Sequence, residues 1–308
     1  MNLWIQWLQA VRFLRPACRR SLTFVWMALV LMGLCCRCDN LGVTSFVRVL
    51  SLREDAYHRF LHLFHSKALD LDVLTSCWMR LCLVLFRPFQ VGTRLVCLAD
   101  GIKAPKEGKC MPAVKLLHQE SQNNTKPEYI MGHSFQAISL LVHSAGGQVA
   151  AVPLVSRIHE GLVFSNRDSK TLLDKLVALL LSITLIWNRS VVLVADAYYA
   201  SGKVITPLMK KGHHLVTRAK SNAVAYLPPP KVTNPGKGRP RIYGDKVRLK
   251  DMATDDKRLY QCAQSGLRRL RCHGPLSCAG FVVETGGAHR AFLHCSPPGA
   301  WNDLFVVH

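Results

Sequence analysis

Arg94 to Gly101 reads RLVCLADG, and Val191 to Tyr199 reads VVLVADAYY. Each is an apolar run that ends on an aspartate, Asp100 in the first and Asp196 in the second. Continuous apolar runs of this length, bounded by a turn signal, suit strands covered on both faces. An aspartate closing such a strand is held by a rigid sheet and projects from its end. Asp is also a common turn residue, so either aspartate alone marks only the end of a strand. Two of them in one sheet, in the element order that follows, are a candidate site.

The segments between and after the two runs supply that order. Ser134 to His143 reads as a strand, Ala145-Gly146-Gly147 as a turn, and Val149 to Ile158 as the returning arm of a hairpin. Pro153 in that arm argues against a central position in the sheet. Thr171, followed three residues later by Asp174, has the spacing of a capping box and starts a helix. That helix, Leu172 to Trp187, is apolar on nearly every face, which predicts deep burial. Residues 202–211 suggest a short helix ended by Gly212, and His214 to Arg218 a last strand. Three strands of an antiparallel meander are thus followed by helix, strand, helix and strand in crossover units, an α/β arrangement.

Residues 1–88 read differently. Apolar residues recur at three- and four-residue steps, as in Tyr57, Phe60, Leu61 and Phe64, so this reads as a helical N-terminal region. It is separately held as a DNA-binding candidate. His58, His62 and His65 share neighbouring helical positions, and a basic, partly exposed face is favoured over a metal site. Leu22 to Cys36 is apolar apart from Thr23, but falls short of the ~20 residues that span a bilayer as a helix. No small-x-small cleavage site follows it, so it is read as a buried helix. The boundary with the α/β region, residues 89–257, falls near Arg87-Pro88. Within that region, prolines exclude a regular element from the basic insertion 228–251.

The 308 residues carry 40 Lys and Arg against 19 Asp and Glu, a formal net charge of +21. A surplus this large opposes compaction and implies a polyanionic partner, with nucleic acid first and an anionic membrane face second. It disfavours an ordinary small-molecule enzyme. The twelve cysteines lack the spacings of a disulfide framework or a zinc knuckle, and read as free thiols in a reducing compartment. Asp100 and Asp196 are the catalytic and metal-holding candidates, because hard divalent cations take oxygen ligands and a two-ion site suits phosphodiester cleavage and strand transfer.

Several longer motifs carry a family resemblance. LADGIKAPKEGK (Leu98 to Lys109), EYIMGHS (Glu128 to Ser134), VADAYYASG (Val194 to Gly202) and GRPRIYG (Gly238 to Gly244) together resemble the bacterial DDE transposases. The likeness runs over about residues 1–257. It implies a ribonuclease H-like mixed sheet with flanking helices, in which the strands ending at Asp100 and Asp196 are neighbours. It implies cutting and joining of transposon ends with Mg2+ or Mn2+, double-stranded DNA as partner, multimeric action, a bacterial cytoplasmic location and no stable membrane association. Lys103, Lys106 and Lys109 would then contact phosphates beside the acids, and Lys237, Arg239 and Arg241 would do so from the insertion.

One element of the family pattern is missing. A third acid, a Glu on a helix after the insertion, is expected, and its position here is unknown. The acids after Lys257 are Glu284 and Asp303, and Glu284 sits where a strand enters a turn. Residues 258–308 are Gly-, Pro- and Cys-rich and lie off the pattern. They are expected to be poorly ordered, as in a truncated or frameshifted transposase with little catalysis. A non-catalytic DNA-binding relic is the alternative reading, and a basic protein anchored to a membrane by Leu22 to Cys36 is the third.

Overall fold

The structure is a computed structural model. It describes residues 2–39, 42–106, 108, 111–118, 127–158, 171–218, 224–226, 245–248, 259–261, 268–271, 278–285 and 288–295. The chain divides into two compact units, Met1–Phe86 and Arg87–His308.

The first unit is helical: α1 (Leu3–Phe13), α2 (Ser21–Cys36), α3 (Val43–Val49), α4 (Ala56–His65) and α5 (Leu71–Leu85). Two apolar clusters hold it. Leu14, Cys18, Met27, Cys77 and Leu81 form one, and Val30, Phe46, Ala56, Phe60 and Leu63 the other. Asp70 caps α5 by accepting from the N–H groups of Asp72 and Val73, which satisfies two of the four orphan donors of that terminus. α2 coincides with the apolar run but is not buried all round. Thr23, Met27, Val30 and Gly33 face the core, whereas Leu22, Val25 and Leu34 are exposed. The uniform composition of the run conceals this, because only packing partners decide which face is covered. Among the described residues, no helix is long and apolar enough to cross a membrane. His58, His62 and His65 are exposed on α4.

The second unit is built on a mixed sheet. Its strands are β1 (Arg87–Pro88), β2 (Gln90–Val91), β3 (Arg94–Pro105), β4 (Lys115–His118), β5 (Tyr129–His143) and β6 (Val149–Ile158). Then come α6 (Leu172–Trp187), β7 (Val191–Ala195), α7 (Gly202–Lys210) and β8 (His214–Arg218). The central order is β6-β5-β3-β7-β8. β6, β5 and β3 are antiparallel neighbours, and β3, β7 and β8 run parallel. Among the described residues, β6 pairs with β5 alone, so Pro153 lies on an edge strand, at a register shift opposite Ile138/Ser139. An edge is where a missing N–H costs least. The β5–β6 turn places Gly146 and Gly147 at φ 84° and 81°, which side chains with a Cβ rarely adopt.

α6 begins with the capping box expected from its sequence. The Thr171 N–H and hydroxyl both donate to Asp174 Oδ2, at 2.7 and 2.6 Å. Together with nearby Lys203, these bonds hold the Asp174 carboxyl below the usual range. Leu176, Val177, Leu180, Ile183, Thr184 and Trp187 make a buried stripe of helical period, while Leu185 is exposed. α6 is therefore covered on one side only, against β5 and α7. Beneath it lie the fully buried residues of the sheet, including Leu95, Cys97, Ile138, Leu140, Val191 and Leu193. Burial pushes the Cys97 thiol up to about 12, so it stays protonated and inert.

His213 joins α7 to the sheet by accepting a hydrogen bond at Nδ1 from the Val191 N–H, at 3.4 Å. Burial first, and Lys211 second, hold its pKa below 6.5. Its neutral form is thus native, and the unfolded chain takes up the proton more readily. This contribution is present above pH 6.5 and is lost as pH falls. The melting temperature should drop on acidification from pH 7.5 to 5.5. In His213→Asn, whose amide oxygen can accept the same bond without titrating, the drop should be smaller. Equal slopes in the two proteins would exclude this role.

One sequence expectation for the later residues changes. The basic insertion does contain a regular element, since β10 (Lys246–Arg248) pairs antiparallel with β9 (Val224–Tyr226). Pro240 is the last proline of the insertion, and 246–248 escape its constraint. After residue 257, the described residues form β11 (Leu259–Gln261), β12 (Arg268–Arg271), β13 (Cys278–Thr285) and β14 (Ala288–Cys295). β14 pairs antiparallel with β8, and β13, β12 and β11 follow outward. Backbone pairing along the open edge of β8 is available to any non-proline segment, which composition does not reveal.

Candidate functional site

β3 and β7 run side by side and in register, with Leu98 opposite Val194 and Ala99 opposite Ala195. The next residues are Asp100, within β3, and Asp196, which follows the last residue of β7; adjacent strands lie about 4.8 Å apart. Because strand residues alternate faces, residues following a registered pair leave on the same side of the sheet. Burial changes there too: Val96, Cys97 and Ala99 are buried, whereas Asp100 and Asp196 are exposed. The sheet therefore brings together two carboxylates that are far apart in sequence.

Each carboxylate is held by the nearest backbone. Asp100 Oδ1 accepts from the Gly101 N–H at 2.7 Å, and Asp196 Oδ1 accepts from the Tyr198 N–H at 3.0 Å. The Asp196 carbonyl accepts from the Thr217 hydroxyl of β8 at 2.6 Å and from the Tyr199 N–H at 3.2 Å. Among the described residues, the second oxygen of each carboxylate makes no hydrogen bond to the protein. Two hard oxygen donors on a rigid support fit Mg2+ or Mn2+, because Mg2+ commonly takes only one or two carboxylates and completes its shell with water and phosphate oxygens. Among the described residues, no group of three His, Cys, Asp or Glu could hold a metal ion.

Sequence reasoning assigned no role to Gln136 or Tyr199. Gln136 lies on β5, one position past the level of Asp100, and pairs with Gly101. It shares the buried face of Ile138 and Leu140, and is itself 5% exposed. The Tyr199 hydroxyl donates to Gln136 Oε1 at 2.8 Å. Burial is the main reason that the phenol is pushed up to about 12. Asp196 and Asp100 act in the same direction, and the Gln136 bond opposes them. Tyr199 therefore remains a donor at neutral pH. The sequence signal was a glutamine interrupting an apolar face, but the interruption does not name a partner 63 residues away.

The candidate cations divide. Lys103 is exposed on β3, and its ammonium donates to the His118 carbonyl at 2.7 Å, which ties β3 to β4. Lys106 is exposed just after β3, and its N–H donates to the Met131 carbonyl. Lys109, Lys237, Arg239 and Arg241 lie outside the described residues. Glu284 is near the end of β13, opposite His289 in backbone register. β13 is separated from β7 by β8 and β14, so three strand steps, about 14 Å, separate its backbone from that of β7. The sheet does not bring Glu284 to the aspartate pair.

Three antiparallel strands, followed by two that run parallel to the first, form a ribonuclease H-like core with flanking helices. Residues 14–271 match the family described as DDE superfamily endonuclease. The chain belongs to that family, whose function is of the transposase or nuclease class. The match continues past residue 257, where the sequence motifs had stopped. No curated protein matches the chain.

Proposed function

We propose that this chain is a transposase-type endonuclease that binds double-stranded DNA and holds Mg2+ or Mn2+ between Asp100 and Asp196. The observation that supports this reading most strongly is the parallel register of β3 and β7, which sets the two carboxylates at neighbouring strand ends. A divalent ion there would supply charge neutralisation at the scissile phosphate and activation of the attacking oxygen. The residues themselves present one oxygen each outward, keep the other on a backbone N–H, and hold the strand ends at fixed separation. The net charge of +21 supplies the attraction for the phosphate backbone.

The third acid of the family pattern has no counterpart at this pair among the described residues. A misplacement of ~1 Å already costs about 10²-fold in rate, and a missing ligand costs more. We therefore assign the chain DNA and metal binding with feeble nicking and no efficient strand transfer. Purified protein should bind duplex DNA with an affinity that falls steeply with salt. It should nick a plasmid slowly in Mn2+, and not at all once EDTA is added. Strand transfer at the rate of an intact family member would overturn the assignment of weak chemistry. Salt-insensitive DNA binding would overturn the assignment of partner.

A further inference from the structure

The sheet order is β7-β3-β5, so a side chain that starts beyond the end of β7 and reaches β5 must cross β3. Tyr199 makes that crossing. It begins three residues after Asp196, and its hydroxyl ends on Gln136 of β5. It crosses at Gly101, the residue after Asp100. A Cβ at position 101 would lie 3.6 Å from the Tyr199 hydroxyl oxygen and 3.7 Å from Gln136 Nε2, ordinary contact distances that place the strap directly over this residue. Strand alternation puts this contact on the face opposite the Asp100 side chain. Both ends of the strap are buried, Tyr199 at 2% and Gln136 at 5% exposure.

We infer that the Tyr199–Gln136 hydrogen bond is a positioning strap that fixes the turn carrying Asp196 against the strand carrying Asp100. This rests on the reading that the two aspartates share a cation. Among the described residues, few other hydrogen bonds tie the turn after β7 to the sheet. Its contacts at Asp196 are the Thr217 hydroxyl from the β8 side and bonds within the turn itself. Thr217 pulls towards β8, away from β3. Among the described residues, the strap is the hydrogen bond from this turn that reaches across β3, so it opposes that displacement and sets the spacing of the two carboxylates. Neither Tyr199 nor Gln136 touches the cation. They act through the position of Asp196.

Outer partners that orient metal-holding carboxylates commonly contribute 10–100-fold to affinity. The test is Mn2+ binding to the full chain, followed by the electron spin resonance signal of free Mn2+, together with thermal melting of each protein. Tyr199→Phe keeps the ring and removes the donor, and Gln136→Met removes the acceptor at similar volume. Each should weaken Mn2+ binding about 10-fold. The double variant should be no worse than either single one, because all three lack the same bond. A role in stability alone would lower the melting temperature and leave Mn2+ affinity unchanged, and that result overturns the strap. If one variant does not fold, the other, approached from the opposite end of the bond, decides. Absence of Mn2+ binding by the unaltered chain would overturn the aspartate site and the strap together. Binding by the unaltered chain with equal affinity in the variants removes only the strap.

Discussion

Asn in place of Asp100 is expected to weaken Mn2+ binding by at least about 100-fold, and Asn in place of Asp196 to do the same. Groups behind a metal ligand contribute about 10–100-fold to affinity, and a ligand itself contributes no less. The amide is isosteric with the carboxylate, and its oxygen can still accept from the Gly101 or Tyr198 N–H. Each variant should therefore fold and melt like the parent protein. What disappears is one unit of negative charge and a hard anionic oxygen. Duplex DNA affinity and its salt slope should be unchanged or slightly raised, since a negative charge near the phosphates is removed. Slow Mn2+-dependent nicking should fall to background in both variants. This separates an endonuclease site from a surface that only binds DNA, for which the same substitutions would leave every measured property intact.

Gly132→Val should be the most damaging single substitution in the sheet. Gly132 pairs with Pro105 on one side and Lys115 on the other, in the part of β5 that carries β3 and β4 beyond Asp100. A Cβ there would come within 2.3 Å of the Ala104 carbonyl oxygen, 3.0 Å of its carbon and 3.1 Å of Pro105 Cα. All three are backbone atoms, so no side-chain rotation relieves the clash and the strands must separate. The expected cost is about 3 kcal/mol, or about 10 °C in Tm. Gly202→Ala is the matching control. It has open space around the added methyl at the start of α7 and an ordinary φ, and should be neutral or slightly stabilising. Equal melting of the two variants would show that β3 and β5 do not approach as described.

Both predictions depend on features that were unequally legible. The ends of β3 and β7 could be read because burial on both faces demands an uninterrupted apolar run, and a charged residue can follow only where burial stops. Pro153 likewise announced an edge, and Thr171 with Asp174 a helix start, because those effects are local. The continuation of β3 through Gly-Ile-Lys-Ala-Pro to residue 105 was hidden. Nothing in that composition favours a strand, and it is held by pairing with β5 at Gly132. The faces left bare on α2 and α6 were hidden for the same reason: an all-apolar helix does not say where its partner sits. The Tyr199–Gln136 bond and the strands after residue 257 are long-range pairings, which the local pattern around either partner does not encode.

The strand ends pointed to Asp100 and Asp196 separately, and the register gives the physical reason that they are near each other. Two residues widely separated in the chain are adjacent because the crossover through α6 returns β7 parallel to β3. Two strands, β8 and β14, separate β13, which carries Glu284, from β7.

The most direct test of the shared site is an Mn2+ titration of the unaltered chain, Asp100→Asn, Asp196→Asn and the double variant, under one set of conditions. If both carboxylates hold one cation, each single variant loses nearly all of the affinity and the double variant loses no more. The coupling in the cycle is then large. Losses that simply add, or a single variant that binds like the parent, would mean that Asp100 and Asp196 are two separate strand ends, and would contradict the account.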